Sequence, residues 1–303
     1  MLDRRLFSYH LYHQLLGNKK STRYFPDFCR QHHMRFHYIT RENKNSELLE
    51  GQFLQHPLSF FGKRLPMTPD DFEMLHENNH VRVDQLLDPQ IPRTVWREIF
   101  ILRMLNDLLL RKITPHFPLF YGHHFSFDGD NYHDGKSRPY VILLQETMQE
   151  DLKTWARRKQ RSEKEWFSCL FQIFFAVGTL QRHLGISHKD LHWGNVLVQR
   201  LDPPQSWTYQ LPGHEPYSLV DQTYLFTICD FGSAQFEIKD EMFDFCRLAL
   251  NVFQWLKYSP GENMDRWVEE MQAVRDKKWK HVLEHVVAKR MVRKKKEIVY
   301  TME

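Results

Sequence analysis

A chain of 303 residues that is 42% hydrophobic and 26% charged, with a net charge of +4, can fill one large domain or two lobes around a cleft and is too apolar for general disorder. Its four cysteines, Cys29, Cys169, Cys229 and Cys246, are far apart and form no C-x-x-C pair, which argues against a zinc knuckle or a disulfide framework and fits a reducing compartment. The N-terminus has no apolar core before a small-residue cleavage site, and no run approaches the roughly 18 apolar residues of a membrane span, so the expectation is an intracellular monomer, cytoplasmic or nuclear, with no membrane contact.

No repeat or low-complexity tract interrupts the chain. Met34-Arg35-Phe36-His37-Tyr38-Ile39-Thr40 alternates as a strand does. Between Thr94 and Leu110 the apolar residues Val95, Ile99, Leu102, Leu105 and Leu109 recur at three- and four-residue steps; with Thr94 as N-cap and Pro92 upstream, this predicts an amphipathic helix. The runs Phe117 to Gly122 and Tyr140 to Leu144 read as two short strands around a polar loop. Leu152 to Arg158 is helical. A longer helix from about Ser162 to Leu184 carries Trp166, Leu170, Phe171, Phe174, Val177 and Leu180 on one face and ends near Gly185; it is apolar enough to be a buried central helix. Asn195 to Val198 and Tyr224 to Cys229 are strand signals, separated by a connection rich in turn residues, Pro203, Pro204, Pro212, Gly213 and Pro216. Lys289, Arg290, Arg293, Lys294, Lys295 and Lys296 crowd a C-terminal stretch whose default reading is a solvated helix face, with an anionic partner as the functional alternative.

The chemistry lies at the flanks of the last two strands. His188-Lys189-Asp190-Leu191-His192-Trp193-Gly194-Asn195 has the pattern H-x-D-L-x-x-x-N of a phosphotransfer catalytic loop, after an apolar helix and before a strand as that pattern requires. Asp230-Phe231-Gly232 follows its own strand as a metal-binding turn. Phosphoryl transfer needs little covalent help from the protein; it needs the nucleophile positioned and the phosphate charge spread over metal ions and cations. Singly, Asp190, Asn195 and Asp230 are each more often turn or cap residues, and it is their order and context that carry the reading.

Together these segments resemble the protein kinase superfamily over roughly residues 50 to 257, most closely the haspin-like kinases, through the catalytic loop with His192 where most protein kinases place a lysine and the long connection from Val198 to Tyr224. The chain also resembles kinase-like proteins of large DNA viruses through Trp96-Arg97-Glu98, Phe117-Pro118-Leu119-Phe120-Tyr121-Gly122 and the spacing from Glu146 to Asp151-Leu152; a viral origin would place it in the host cell. The resemblance implies an α+β fold of two lobes. Residues 1–145 would form a small β-rich lobe with an N-terminal extension and an insertion near 68–89; residues 146–303 would form the hinge and a larger helical lobe with a basic tail. It implies an ATP- and Mg2+-dependent serine/threonine kinase acting on a protein. Asp190 would accept or orient the proton of the substrate hydroxyl, Asn195 and Asp230 would hold Mg2+ against the ATP phosphates, and His188 would support the metal turn. Glu98 would pair with a strand lysine, for which Lys63 is the candidate although it lies 35 positions earlier; Arg82 is nearer, but a guanidinium is not an equivalent phosphate partner. Adenine would lie against the main chain of Gln145-Glu146-Thr147-Met148, with Glu146 and Met148 as contact positions and Gln145 as a polar gatekeeper. Asp244 would bond back to the catalytic loop or, alternatively, serve as a helix N-terminal charge.

The chain departs from the family pattern in two places. No G-x-G-x-x-G precedes Lys63, where Gly51 stands alone, which implies weaker nucleotide binding or an unusual lid. No A-P-E follows Gly232; about a dozen residues separate it from Asp244, and Ser233 is the sole hydroxyl-bearing residue among them. The activation segment is therefore very short and activity should not depend on its phosphorylation; Lys189, where many kinases read a phosphorylated loop, could be occupied by Glu237 or Asp240. These departures keep two alternatives open, a small-molecule kinase of the aminoglycoside or choline kinase type and a nucleotide-weak pseudokinase scaffold. His32, His33, His123, His124, His281 and His285 read as surface histidines, a zinc site lacking a third ligand.

Overall fold

The computed structural model describes residues 5, 25–39, 47–55, 58–71, 95–127, 139–210, 216–236, 238, 243–244, 247–248 and 298–301. The chain falls into two units, one formed by residues 1–106 and 118–147 and the other by 107–117 and 148–303. The insertion expected near 68–89 lies outside the described residues from position 72 onward, as do Arg82, Glu237, Asp240 and the basic run 289–296.

In the first unit five strands make one antiparallel sheet: β1 (Met34–Ile39), β2 (Glu47–Phe53), β3 (Ser59–Pro66), β4 (Phe120–Phe127) and β5 (Pro139–Glu146), in the order β1-β2-β3-β5-β4. The run Tyr140 to Gln145 is buried without alternation, as a strand covered on both faces should be. β4 starts three residues later than the apolar run suggested, after Pro118, which has no N–H for the ladder, and it extends through the polar residues His123, His124 and Ser126. Gly51 and Gly62 answer to close packing: a Cβ on Gly51 would lie 2.1 Å from the Phe60 ring, and one on Gly62 2.5 Å from Leu49. A short helix, α1 (Phe25–Gln31), joins the sheet through Phe25, whose ring meets Phe36 edge-on at 5.0 Å and whose N–H donates to Ser126 Oγ.

The helix predicted from Thr94 runs as α2 (Val95–Leu110). Val95, Ile99, Leu102, Leu105 and Leu109 are buried as expected, and so are Trp96, Ile101 and Leu108, so burial extends beyond a single stripe. Thr94 is outside the described residues; the acceptor for the Val95 N–H is Asp71 Oδ1 at 3.1 Å, while the Asp71 carbonyl takes the Trp96 indole N–H at 2.8 Å. A buried carboxylate at the positive end of the helix dipole thus fixes where α2 begins.

The second unit is built around α4 (Glu163–Thr179), which follows α3 (Leu152–Arg158). Asp151 caps α3 through the Thr154 N–H, and Ser162 with Glu165 forms a capping box on α4. Past Thr179 the helix widens into a π-turn, Leu180–Leu184, and stops at Gly185, whose φ of 63° is the left-handed cap that glycine permits. Cys169, Phe171, Ile173, Phe174, Phe175, Ala176 and Val177 are wholly buried, which makes α4 the core of this unit.

The connection from Val198 to Tyr224 departs from its expected irregular course. It is the outer part of a long antiparallel ribbon made by β7 (Val196–Gln210) and β8 (Tyr217–Ile228), flanked by β6 (Glu150–Asp151) and, in parallel, by β9 (Ile298–Thr301). Pro203 and Pro204 do not break β7, because they fall within the bulged register between Arg200 and Gln205, where no ladder N–H is required. Wholly buried Trp207 and Tyr209 anchor the ribbon. Tyr209 packs on Phe171 and Phe175 of α4, and its hydroxyl meets Nε2 of the buried His116 at 3.0 Å, while His116 Nδ1 donates to the Phe226 carbonyl. Among the described residues no helix is long and apolar enough to cross a membrane.

Candidate active site

The charged pair of the first unit is set by sheet register. β3 aligns Lys63 with Leu48 on one side and Leu143 on the other, and Lys63 Nζ lies 2.9 Å from Glu98 Oε1 and 3.2 Å from Oε2. Glu98 is in the first turn of α2, where a carboxylate is favoured, and is 4% exposed against 12% for the lysine. Of the two cations weighed from sequence, Lys63 is the one seen on Glu98; Arg82 is not among the described residues.

The end of β5 is tied down in the same unit. The Glu146 carboxylate receives Nε and Nη2 of Arg5 at 2.8–2.9 Å together with the Leu119 N–H at 3.1 Å, and the Glu146 N–H donates to the Leu119 carbonyl. The Glu146 side chain therefore has a structural task. Gln145 is buried, and Met148 is half-buried in the second unit.

In the second unit the segment Ser187 to Asn195 is held almost atom by atom. Ser187 exchanges both main-chain hydrogen bonds with Gln235 at 2.9 Å, which anchors the chain just beyond the Asp230 turn. Buried Asp244 accepts from Ser187 Oγ, from the His188 N–H and from the Lys189 N–H at 2.8–2.9 Å. Asp244 thus bonds back to the loop.

His188 is wholly buried, and burial holds its imidazole below the usual pKa, against the bond to Cys229 and the nearby carboxylates of Asp244, Asp230 and Asp190. The neutral ring has one tautomer that fits. Nδ1 accepts the Asp190 N–H, so Nε2 carries the proton and donates to the Cys229 carbonyl at 3.0 Å. The ring also packs on Phe231 at 5.0 Å, and Phe231 in turn meets Phe117.

Asn195 closes the loop. Its Nδ2 donates to the Asp190 carbonyl at 2.9 Å and its own carbonyl takes the Cys229 N–H, which seats Asn195 beside the Asp230 turn. With Nδ2 engaged, the amide has Oδ1 as its acceptor, and Asp230 supplies a carboxylate; these are the hard oxygen donors that suit Mg2+. Lys189 and Asp230 both hold left-handed φ values, 63° and 65°, costing about 1–3 kcal/mol each in a non-glycine residue. The Lys189 ammonium lies 4.8 Å over the Phe243 ring.

One residue at this loop has no counterpart in the sequence reading. Arg247 donates from Nη1 to the Lys189 carbonyl at 2.9 Å and from Nη2 to Asp190 Oδ1. Of the histidines expected at the surface, His32 and His124 are instead buried, and His123 and His124 are pushed down to about 4, chiefly by burial, so both are neutral near pH 7.

The model of the family described as Haspin like kinase domain matches residues 61–263, more than half of the chain. The chain is also similar to the uncharacterized protein 011L of Invertebrate iridescent virus 3, at 27% identity over 140 residues, which cover 43% of this chain and 18% of the viral protein. It thus spans under a fifth of the length of that relative.

Proposed function

Because the chain belongs to the haspin-like kinase domain family, we propose that this protein kinase is of the serine/threonine type, takes ATP with Mg2+ and transfers the γ-phosphoryl group to a protein hydroxyl. The observation that carries the reading is the Lys63–Glu98 pair, since a catalytic loop without a positioned phosphate cation would suit a scaffold. Lys63, steadied by Glu98, would hold the non-transferred phosphates. Asn195 Oδ1 and Asp230 would hold Mg2+, which when bound supplies positive charge at the phosphate oxygens. Asp190 would orient the substrate hydroxyl and take its proton as the oxygen forms the new bond to phosphorus and ADP leaves with the bridging oxygen. Main-chain groups of Glu146 and Met148 would receive adenine. The serine/threonine preference follows from the resemblance.

The test offers labelled ATP with peptides bearing Ser, Thr or Tyr, and separately with aminoglycosides and choline, alongside thermal shifts with ATP in the presence and absence of Mg2+. Label on Ser or Thr peptides, with an ATP shift that needs Mg2+ and disappears in Asp230→Ala, is the expected result. Label on the small molecules alone would make this a small-molecule kinase, and no shift with any nucleotide would make it a scaffold.

A further inference from the structure

Arg247 sits at the carboxylate that the kinase reading makes the proton acceptor. Its guanidinium spans two consecutive residues, the carbonyl of Lys189 through Nη1 and Oδ1 of Asp190 through Nη2. Three positions earlier, Asp244 takes the N–H groups of His188 and Lys189 and the Ser187 hydroxyl. Asp244 and Arg247 therefore grip the loop with both polarities, the aspartate holding donors and the arginine holding acceptors. The cation of the loop itself is directed elsewhere, since Lys189 Nζ stacks on Phe243. His192, two places after Asp190, has its Nε2 at 4.0 Å from Oδ2, beyond hydrogen-bond length, while its Nδ1 accepts the Gly194 N–H.

We infer that Arg247 is a positioning residue for the phosphotransfer step: it fixes the Asp190 carboxylate by one oxygen, Oδ1, and leaves Oδ2 for the substrate hydroxyl. The inference rests on the kinase reading for what Asp190 does, but not for the contact. Without the guanidinium the carboxylate would keep its main-chain anchors, the N–H to His188 and the carbonyl to Asn195, and lose the bond that sets its side-chain torsion. The same loss would relax Lys189, whose left-handed φ of 63° is held by Asp244 at its N–H and by Arg247 at its carbonyl. A planar fork serves two acceptors at once; an ammonium at this position would keep the charge and serve them less well.

The experiment compares Arg247→Ala and Arg247→Lys with the full-length wild type in steady-state phosphotransfer, and runs a double-mutant cycle of Arg247→Ala with Asp190→Ala in thermal unfolding. The expected result is a kcat lowered by about tenfold to a hundredfold in Arg247→Ala, as for a misplaced catalytic group, with KM for ATP within about twofold of wild type and Arg247→Lys in between. In the cycle the double variant should lose less Tm than the two single losses together. An unchanged kcat in Arg247→Ala, or losses of kcat and ATP affinity that track unfolding, would overturn the positioning role. Should the wild type transfer phosphate to nothing, the kinase reading fails on its own, and the cycle still decides the clamp: coupled shifts support it and additive shifts overturn it.

Discussion

The two units hold their charged groups in opposite ways. In the first, Lys63 and Glu98 meet as two side chains from a strand and a helix, and their geometry depends on how α2 is seated, its first N–H being capped by the distant Asp71. In the second, nearly every residue from Ser187 to Asp190 is bound through its main chain, to Gln235, Asp244, His188, Asn195 or Arg247. A segment so over-determined can keep Lys189 in a left-handed conformation, whereas an ion pair between separate elements can be made or broken by a small shift of one of them. The pair is therefore the breakable part, and the loop from Ser187 to Asp190 is the constant one.

The sharpest way to break this comparison is at the constant part. Asp190→Asn should lower phosphotransfer by about 10²- to 10⁴-fold, because an amide cannot take the hydroxyl proton, while the melting temperature and the ATP-induced shift stay near wild type. Initial rates and thermal shifts on one preparation measure both, and retained turnover would remove Asp190 from the chemistry. Asp244→Ala comes next. It strands three donors of a buried loop, so a loss of about 3 kcal/mol in denaturant unfolding is expected. A loss no larger than that of a surface substitution would mean the loop is not pinned from that side.

At the breakable part the effect should be smaller and of another kind. Glu98→Gln keeps an acceptor near Lys63 but removes its charge, so the ammonium remains in place and is less tightly oriented. A drop of about tenfold in kcat/KM for ATP, with stability changed by about 1 kcal/mol or less, is the expected outcome. If Glu98→Gln were as inactive as Asp190→Asn, the pair would be as essential as the loop and the contrast between the units would dissolve.

The same contrast decides what could be read before the structure. The catalytic loop was legible because its defining contacts span at most five residues, as in Asp190 N–H to His188 and Asn195 Nδ2 to Asp190, so a contiguous motif contains its own geometry. Lys63 was legible only as a candidate, since 35 positions separate it from Glu98 and only side-chain chemistry set it above the nearer Arg82. The α2 cap, 24 positions upstream at Asp71, the Arg247 clamp, 57 positions from Asp190, and the Arg5 bond to Glu146, 141 positions away, leave no local trace. The β7–β8 ribbon was hidden for a different reason. Its prolines argue against a strand in any short window, and only the register shift that accommodates them, together with burial of Trp207 and Tyr209, restores the ladder.

The smallest expected effect is a pH dependence of stability. In the first unit, His124 is buried against Phe25 and Phe28, and burial, helped by the neighbouring His32, lowers its pKa to about 4 from an ordinary value near 6.5. The unfolded chain therefore binds a proton at His124 near pH 6 that the folded chain refuses. Stability from this group is complete above about pH 7, falls as pH drops below 6.5, and levels off only near pH 4; between pH 7.5 and 6 the loss is about 1 kcal/mol. His123, also near 4, and His183 and His188 in the second unit, both lowered chiefly by burial, act in the same direction, so the wild-type curve contains all four. His124→Phe keeps a ring among Phe25 and Phe28 and cannot titrate, so denaturant unfolding at pH 7.5 and 6.0 should show a flatter dependence in the variant by that amount. An identical pH dependence in the two proteins would place the acid lability elsewhere, and His188→Phe, measured in the same way, would then ask whether the second unit carries it.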